Sequence, residues 1–307
     1  MSDGKNALFM RDPVAFMRRY AVMPPDNIDS DIGDEAQDMA TTAAVGKDYL
    51  YSNMDEKVGW LNFRKKPKHG ALNLSFVHAS EGTVIVDGTY TPRAHKIKSY
   101  WLPWSAGGAI IRLAIPDANN IPAGQDDADY FFTATISGCS IFIKGTQRQP
   151  VIYHAGGQTL QNDPNNAATF WRTLATTYSG AGAIVAEVNK TDYVSDPHAA
   201  RPGQTTRNAE AFDLWLRGNL NNNEFQIQDV HPWGCVMGVR DANGDWTFYL
   251  QENATILFYS FKKKLFSSNR VQSAIRGAGR PMIFREIFPN GAGHIALNAS
   301  LPRRLGV

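Results

Sequence analysis

Residues 130–155 have the sequence YFFTATISGCSIFIKGTQRQPVIYHA, in which two apolar runs flank a short polar segment. The runs at 141–144 and 151–154 are rich in β-branched and aromatic residues, which favour strands. The segment between them, 145–148, begins with glycine and is otherwise polar, as is typical of a turn. The sequence therefore predicts a β-hairpin here.

The pairing of this hairpin depends on where its turn is centred. A two-residue turn at Thr146 and Gln147, extended outward, pairs Gly145 with Arg148, Ile141 with Ile152 and Cys139 with His154. Residues that face each other directly have β-carbons about 4.5–5.5 Å apart on one face of the sheet. We therefore expect the thiol of Cys139 and the imidazole of His154 to meet across the hairpin.

A thiol beside an imidazole suits nucleophilic catalysis. The imidazole raises the fraction of thiolate, which is the attacking form. Ser137 and Gly138 let the backbone turn sharply before Cys139, and the amide hydrogens from Gly138 to Ser140 are candidates for an oxyanion hole. The alternative is structural, because cysteine is often a buried small hydrophobe and a strand-end histidine is often a surface residue.

A known family has a similar motif. Ile136-Ser137-Gly138-Cys139, followed fifteen residues later by His154, resembles the active site of the cytotoxic necrotizing factor family of glutamine deamidase toxins. It is also similar to the related Burkholderia lethal factor and, more distantly, to the bacterial chemotaxis-receptor deamidases. Those proteins place a cysteine after a Ser-Gly step and a histidine a little over ten residues later, on a β-sandwich. The resemblance covers about twenty-five residues of 307.

The resemblance implies a reaction and a third site residue. The lethal-factor branch has a threonine six residues before the cysteine, and Thr133 occupies that position. By resemblance, Cys139 attacks the side-chain amide of a protein glutamine, and Thr133 orients His154. Backbone amides near Gly138 and Ser140 hold the oxyanion, and glutamate forms without a cofactor. The implied protein is a bacterial toxin or effector whose target is a host protein, such as a small GTPase or a translation factor.

Three other functions stay open. An amine that resolved the same thioester would make the reaction a transglutamination. A cysteine protease or amidase usually has its cysteine at a helix N-terminus and its histidine much further along the chain, so the strand-rich surroundings of Cys139 count against it. A non-catalytic β-sandwich binding module would use the scattered aromatic residues as ligand contacts, and thiol reactivity separates it from the enzymes.

Composition and charge narrow the partners. The formal net charge is +2, so no electrostatic argument for nucleic acid arises. The seven histidines are scattered, and we expect no metal site. No run of about eighteen apolar residues occurs, so we expect no membrane span. Charged residues interrupt any signal-peptide core within residues 1–23, so we expect synthesis in the cytoplasm without a signal peptide. The resemblance implies a bacterial protein that is delivered to a host cytoplasm, and we expect a monomer.

The two cysteines differ in their surroundings. Cys139 and Cys235 are too few for a disulfide framework. Cys235 lies among alternating apolar residues with no histidine at a facing position, which favours core packing over catalysis.

The rest of the chain predicts many short strands and a few helices. Strand-like runs occur at 58–63, 71–77, 83–86, 95–102, 107–114, 130–136 and 183–188, and a hairpin around Asn243-Gly244 joins 233–239 to 246–250 before a third strand at 255–261. Helical patterns occur at 13–20 with Asp12 as N-cap, and at 34–45, 165–178 and 209–220. We predict an α/β fold, a mixed β-sandwich of two packed mixed or antiparallel sheets surrounded by helices and long loops. Residues 1–45 are predicted to form an N-terminal helix and flexible arm, and 46–307 the catalytic deamidase-like domain.

Overall fold

The computed structural model of the chain describes residues 4–25, 50–55, 58–65, 83–89, 93–104, 109–121, 123–124, 126–157, 167–178, 182–193, 225–263, 270–272, 276–291 and 293–295. The strand predicted at 71–77 and the helices predicted at 34–45 and 209–220 lie outside these residues. The boundary predicted at residue 45 also lies outside them, so the division into two segments stays a prediction.

The described residues form helices and two groups of strands. The helices are α1 (Gly4–Arg11), α2 (Pro13–Arg19), α3 (Ala167–Tyr178) and α4 (Lys190–Tyr193), with a 3-10 turn at Ala118–Asn120. The first strands are β1 (Ala21–Met23), β2 (Leu50–Asp55), β3 (Val58–Lys65), β4 (Thr83–Thr89), β5 (Ile97–Leu102), β6 (Ala109–Ala114) and β7 (Tyr130–Thr133). The remaining strands are β8 (Ser140–Gly145), β9 (Pro150–Ala155), β10 (Ile184–Val188), β11 (Phe225–Arg240), β12 (Trp246–Lys263), β13 (Arg270–Gln272), β14 (Arg276–Phe288) and β15 (Gly293–Ile295).

These strands form two sheets that pack face to face. The large sheet has the order β1-β4-β3-β5-β7-β11-β12-β14-β15, with β13 also paired to β12, and the small sheet has the order β10-β8-β9-β6-β2. The pairs β1–β4, β5–β7 and β2–β6 are parallel and the other pairs are antiparallel. The structure is therefore a mixed β-sandwich with helices, as predicted.

Strand alternation in β9 shows how the layers are arranged. Ile152 belongs to the cluster of buried side chains between the two sheets, whereas Val151, Tyr153 and Ala155 belong to the cluster under α3. Successive side chains of a strand point to opposite faces. His154 therefore lies on the inner face of the small sheet with Ile152, and α3 covers the outer face.

The N-terminal helices cover the outer face of the large sheet. Phe9 of α1 and Phe16 and Met17 of α2 are buried in a cluster with apolar residues of that face. Asp12 caps α2 by accepting a hydrogen bond from the amide of Ala15 at 2.8 Å, and Pro13 occupies the first turn. The predicted cap is confirmed, and the described residues form four layers: helix, sheet, sheet, helix.

The register predicted for the β8–β9 hairpin is wrong. The observed pairs are Gly145 with Pro150, Ile143 with Ile152 and Ile141 with His154. The loop therefore contains four residues, 146–149, and not two. Tertiary contacts hold this longer loop, because the carbonyl of Gln147 accepts from the amide of Trp246 at 2.9 Å and Arg148 donates to the carbonyl of Asn243 at 3.0 Å.

The β11–β12 hairpin is confirmed, but it is longer than predicted. Its pairing closes at Arg240 and Trp246, so five residues form the loop around Asn243-Gly244. The run predicted as a third strand at 255–261 is the continuation of β12, which pairs with β11 on one side and β14 on the other. This long strand is therefore an interior strand of the large sheet.

Candidate active site

Cys139 lies one residue before β8, at an end of the space between the sheets. Its side chain belongs to the inter-sheet cluster with Ile141 and Ile136, and the residue is 6% exposed. The observed register, continued by one step, places Cys139 opposite Gly156. His154 is then a diagonal neighbour of Cys139 on the same face. Such neighbours lie about 7–8 Å apart between α-carbons and are within reach of long side chains.

His154 projects into an apolar environment. Ile141 of β8 and Ile111 of β6 lie directly opposite it on its two sides, and the residue is 2% exposed. Burial lowers the pKa of His154 to about 4, while the carbonyl groups of Leu102 and Pro103 favour the charged ring and counter that effect. These carbonyls lie near the ring without forming a hydrogen bond of standard geometry, and both ring nitrogens lack such a partner among the described residues. The imidazole is therefore neutral at pH 7.

Thr133 ends β7 of the large sheet. Its neighbour Phe132 belongs to the outer cluster, so alternation turns Thr133 inward. Its hydroxyl oxygen accepts a hydrogen bond from the amide of Val236 at 3.0 Å, and the residue is fully buried. A threonine hydroxyl keeps its own hydrogen when it accepts a bond, so Thr133 can still donate.

The backbone around Cys139 is held by Tyr193 of α4. The tyrosine hydroxyl accepts from the amide of Gly138 at 2.8 Å and donates to the carbonyl of Cys139 at 2.7 Å. The N–H of Gly138, which is predicted to be an oxyanion donor, is therefore already in a hydrogen bond with Tyr193. Ser140 pairs with Ala155 in the ladder.

A polar chain leads from Ser140 to a surface cleft. The Ser140 hydroxyl donates to the side-chain oxygen of Asn189 at 3.3 Å, and the side-chain nitrogen of Asn189 donates to the Glu187 carboxylate at 2.8 Å. Glu187 also forms an ion pair with Arg172. Glu187 and Arg172 line a cleft of about 580 Å³ between α3, β10 and the end of β14. Cys139 does not line this cleft, and the hydrogen-bonded side chains of Ser140 and Asn189 lead from the residue after it toward the cleft.

Cys235 occupies a different layer from Cys139. It is fully buried on the outer face of the large sheet, beneath the N-terminal helices, and both cysteines are free thiols. Its sulfur lies 3.5 Å from the carbonyl of Val22, and burial raises the pKa of this thiol. The prediction that Cys235 packs in the core is confirmed.

Tyr193 and Asn189 were not among the residues predicted for this site. They lie 55 and 49 residues from their partners Gly138 and Ser140, and no local pattern marks either residue. Only the tertiary structure brings them to the residues on either side of Cys139.

Two other features concern the described residues alone. None of their helices has the length and apolar content to cross a membrane. Across the same ranges, no group of three or more His, Cys, Asp or Glu side chains is placed to bind a metal ion.

Comparisons with known proteins show no family. No protein-family model matches the chain, and no curated protein matches it. One solved structure with some likeness is the C-terminal domain of CNFy from Yersinia pseudotuberculosis, with 10% sequence identity and a TM-score of 0.20. The likeness covers 60% of this chain and 62% of that chain, which is less than two thirds of either. It is too weak to show membership of a family.

Proposed function

We propose that the protein is a cysteine-dependent glutamine deamidase, with Cys139 as nucleophile and His154 as general base and acid. The observation that carries the proposal is that Cys139, directly before β8, and His154 of the adjacent strand β9 lie on the same inner face. A neutral imidazole beside a thiol can take the thiol proton as the sulfur attacks. The resemblance of residues 136–139 to the active site of the glutamine deamidase toxins favours a side-chain amide as the substrate.

The proposed reaction needs only these two side chains and water. The Cys139 sulfur bonds to the carboxamide carbon of glutamine while its proton passes to His154. The tetrahedral intermediate expels nitrogen as ammonia, which receives the proton from His154, and a thioester remains. Water then gives a proton to His154 and attacks the thioester. Glutamate forms, and the proton returns to the Cys139 sulfur.

The oxyanion of the intermediate needs amide donors close to the sulfur. The Gly138 N–H donates a hydrogen bond to the Tyr193 hydroxyl, and Ser140 lies opposite Ala155 in the β8–β9 pairing. We assign the oxyanion to the backbone amides from Gly138 to Ser140, as the resemblance implies. The Gly138 amide can donate to the oxyanion only when the oxyanion displaces the Tyr193 hydroxyl.

Thr133 completes the proposed site from the opposite sheet. Because its oxygen already accepts from Val236, its hydroxyl hydrogen is the group that would act on His154. A hydrogen bond to one ring nitrogen would fix which nitrogen faces the thiol. The protein substrate is proposed to belong to a host cell, with a small GTPase or a translation factor as the candidate class, reached after delivery from a bacterium.

The burial of both side chains favours one rival function. Cys139 and His154 are 6% and 2% exposed, which also fits a non-catalytic binding module whose core contains them. Isoelectric focusing of lysate proteins separates the two functions. A deamidase adds one negative charge to its target, so the target shifts to a more acidic position with the intact protein and not with Cys139→Ser. A binding module shifts nothing.

A further inference from the structure

The hydroxyl of Tyr193 forms hydrogen bonds with the backbone of two consecutive residues, Gly138 and Cys139. Tyr193 ends α4, is 1% exposed, and makes both of its short hydrogen bonds to backbone atoms of Gly138 and Cys139. One bond uses the hydroxyl oxygen as acceptor and the other uses its hydrogen as donor. The tyrosine thus fixes two consecutive residues that lie more than fifty positions away in the sequence.

The conformation of Gly138 makes this double contact possible. In a regular strand, the N–H of one residue and the C=O of the next point to opposite sides. Gly138 has a φ of +149°, which residues with side chains rarely adopt, and both groups meet the same hydroxyl. A β-carbon at Gly138 would meet no atom within 4 Å, so the requirement for glycine is conformational and not steric.

The short segment 189–193 also holds the other side of the cysteine. The side-chain oxygen of Asn189 accepts from the Ser140 hydroxyl, and the backbone N–H of Asn189 donates to the Asp192 carboxylate at 2.7 Å. Burial raises the pKa of Tyr193 well above its usual range, and negative charge on the nearby Cys139 sulfur would add to this effect. The hydroxyl therefore keeps its hydrogen, and the bond to the Cys139 carbonyl persists across the pH range of an assay.

We propose that Tyr193 is a positioning residue for Cys139, whose hydroxyl sets the direction of the thiol and of the Cys139 amide hydrogen. The proposal rests on the deamidase function proposed above. By this proposal Tyr193 holds the attacking sulfur and the backbone around it in one fixed geometry, since small displacements of reacting groups reduce turnover.

The test is Tyr193→Phe, which keeps the buried ring and removes only the hydroxyl. Tyr153→Phe is the matched control, because Tyr153 is equally buried and its hydroxyl has no hydrogen-bond partner among the described residues. We expect Tyr193→Phe to change the alkylation rate of Cys139 by iodoacetamide about fivefold or more and to shift its pH profile, since a hydrogen bond is worth about 1 kcal/mol. Tyr153→Phe leaves both at the wild-type values.

Turnover supplies a second readout. On a glutamine target, we expect Tyr193→Phe to lower kcat about tenfold with KM nearly unchanged, the pattern of a group that acts during the chemical step. One outcome is that Tyr193→Phe changes the alkylation rate of Cys139 while the wild type converts no glutamine target. In that case the positioning role stands and the deamidase proposal fails. Wild-type alkylation kinetics in folded Tyr193→Phe would overturn the positioning role.

Gly138→Ala keeps the proposal testable if Tyr193→Phe does not fold. The alanine meets no neighbouring atom but disfavours a φ of +149°, so it breaks the same contact from the other side. We expect it to change the alkylation profile of Cys139 in the same direction as the loss of the hydroxyl. A folded Gly138→Ala protein with the wild-type profile contradicts the proposal.

Discussion

His154 lies directly opposite Ile141 on the neighbouring strand, so its imidazole projects into the apolar space between the two sheets. Burial there favours the neutral ring, and the pKa of His154 is lowered to about 4. A neutral imidazole at this depth is suited to receive a proton from a thiol. It also makes the folded state sensitive to acid.

Acid should destabilise the protein through His154. In the unfolded chain the histidine has its ordinary pKa of about 6.5, so between pH 6.5 and 4 the unfolded state takes up a proton that the folded state does not. The free energy of unfolding therefore falls over this window, by roughly 3 kcal/mol in total, and this contribution stays constant below it. Urea unfolding at a series of pH values measures the loss.

The control for this prediction is His154→Leu. Leucine removes the titrating group and also removes two buried ring nitrogens that lack partners among the described residues. We expect unchanged or higher stability at pH 7 and a smaller loss between pH 6.5 and 4 than in the wild type. Equal acid slopes for wild type and His154→Leu would show that other groups cause the loss.

Cys139 should be the thiol that reacts in the native protein. Cys235 is fully buried beneath the N-terminal helices and its pKa is raised, whereas Cys139 is 6% exposed at the end of the inter-sheet space. With limiting iodoacetamide, we expect labelling of Cys139 to exceed that of Cys235 by about tenfold or more. Peptide mapping by mass spectrometry gives the ratio, and preferential labelling of Cys235 would refute the assignment.

Thr133→Val should cost stability because of one buried amide. The substitution preserves shape but removes the acceptor of the Val236 N–H, and an unsatisfied buried donor costs about 1–3 kcal/mol. Thr133→Ser keeps the oxygen and should cost clearly less. Denaturant unfolding of both variants gives the difference, and equal stability of the two would show that the hydrogen bond contributes little.

Local pattern was sufficient to predict much of this fold. The β-branched and aromatic residues of β9 predict a strand, Asp12-Pro13 predicts the start of α2, and the apolar residues of α3 predict its buried face. These features depend on neighbours within a few positions, so the sequence contains them.

The hairpin register was not predictable because distant residues determine it. The carbonyl of Gln147 accepts from Trp246, and Arg148 donates to Asn243. These contacts span about a hundred positions and favour a four-residue loop over the tight turn that local residues suggest. The error is a shift of two positions, and because strand faces alternate with a period of two, Cys139 and His154 still share a face.

The most direct test of the account is the conversion of a protein glutamine to glutamate by Cys139. Purified wild type, Cys139→Ser and His154→Leu are each incubated with eukaryotic cell lysate in water enriched in heavy oxygen. Tryptic peptides are then compared by mass spectrometry. We predict a glutamate at one specific glutamine position, with one heavy oxygen in its side chain, for wild type alone. New cleavage termini without such a glutamate, or no difference between wild type and Cys139→Ser, would contradict the account.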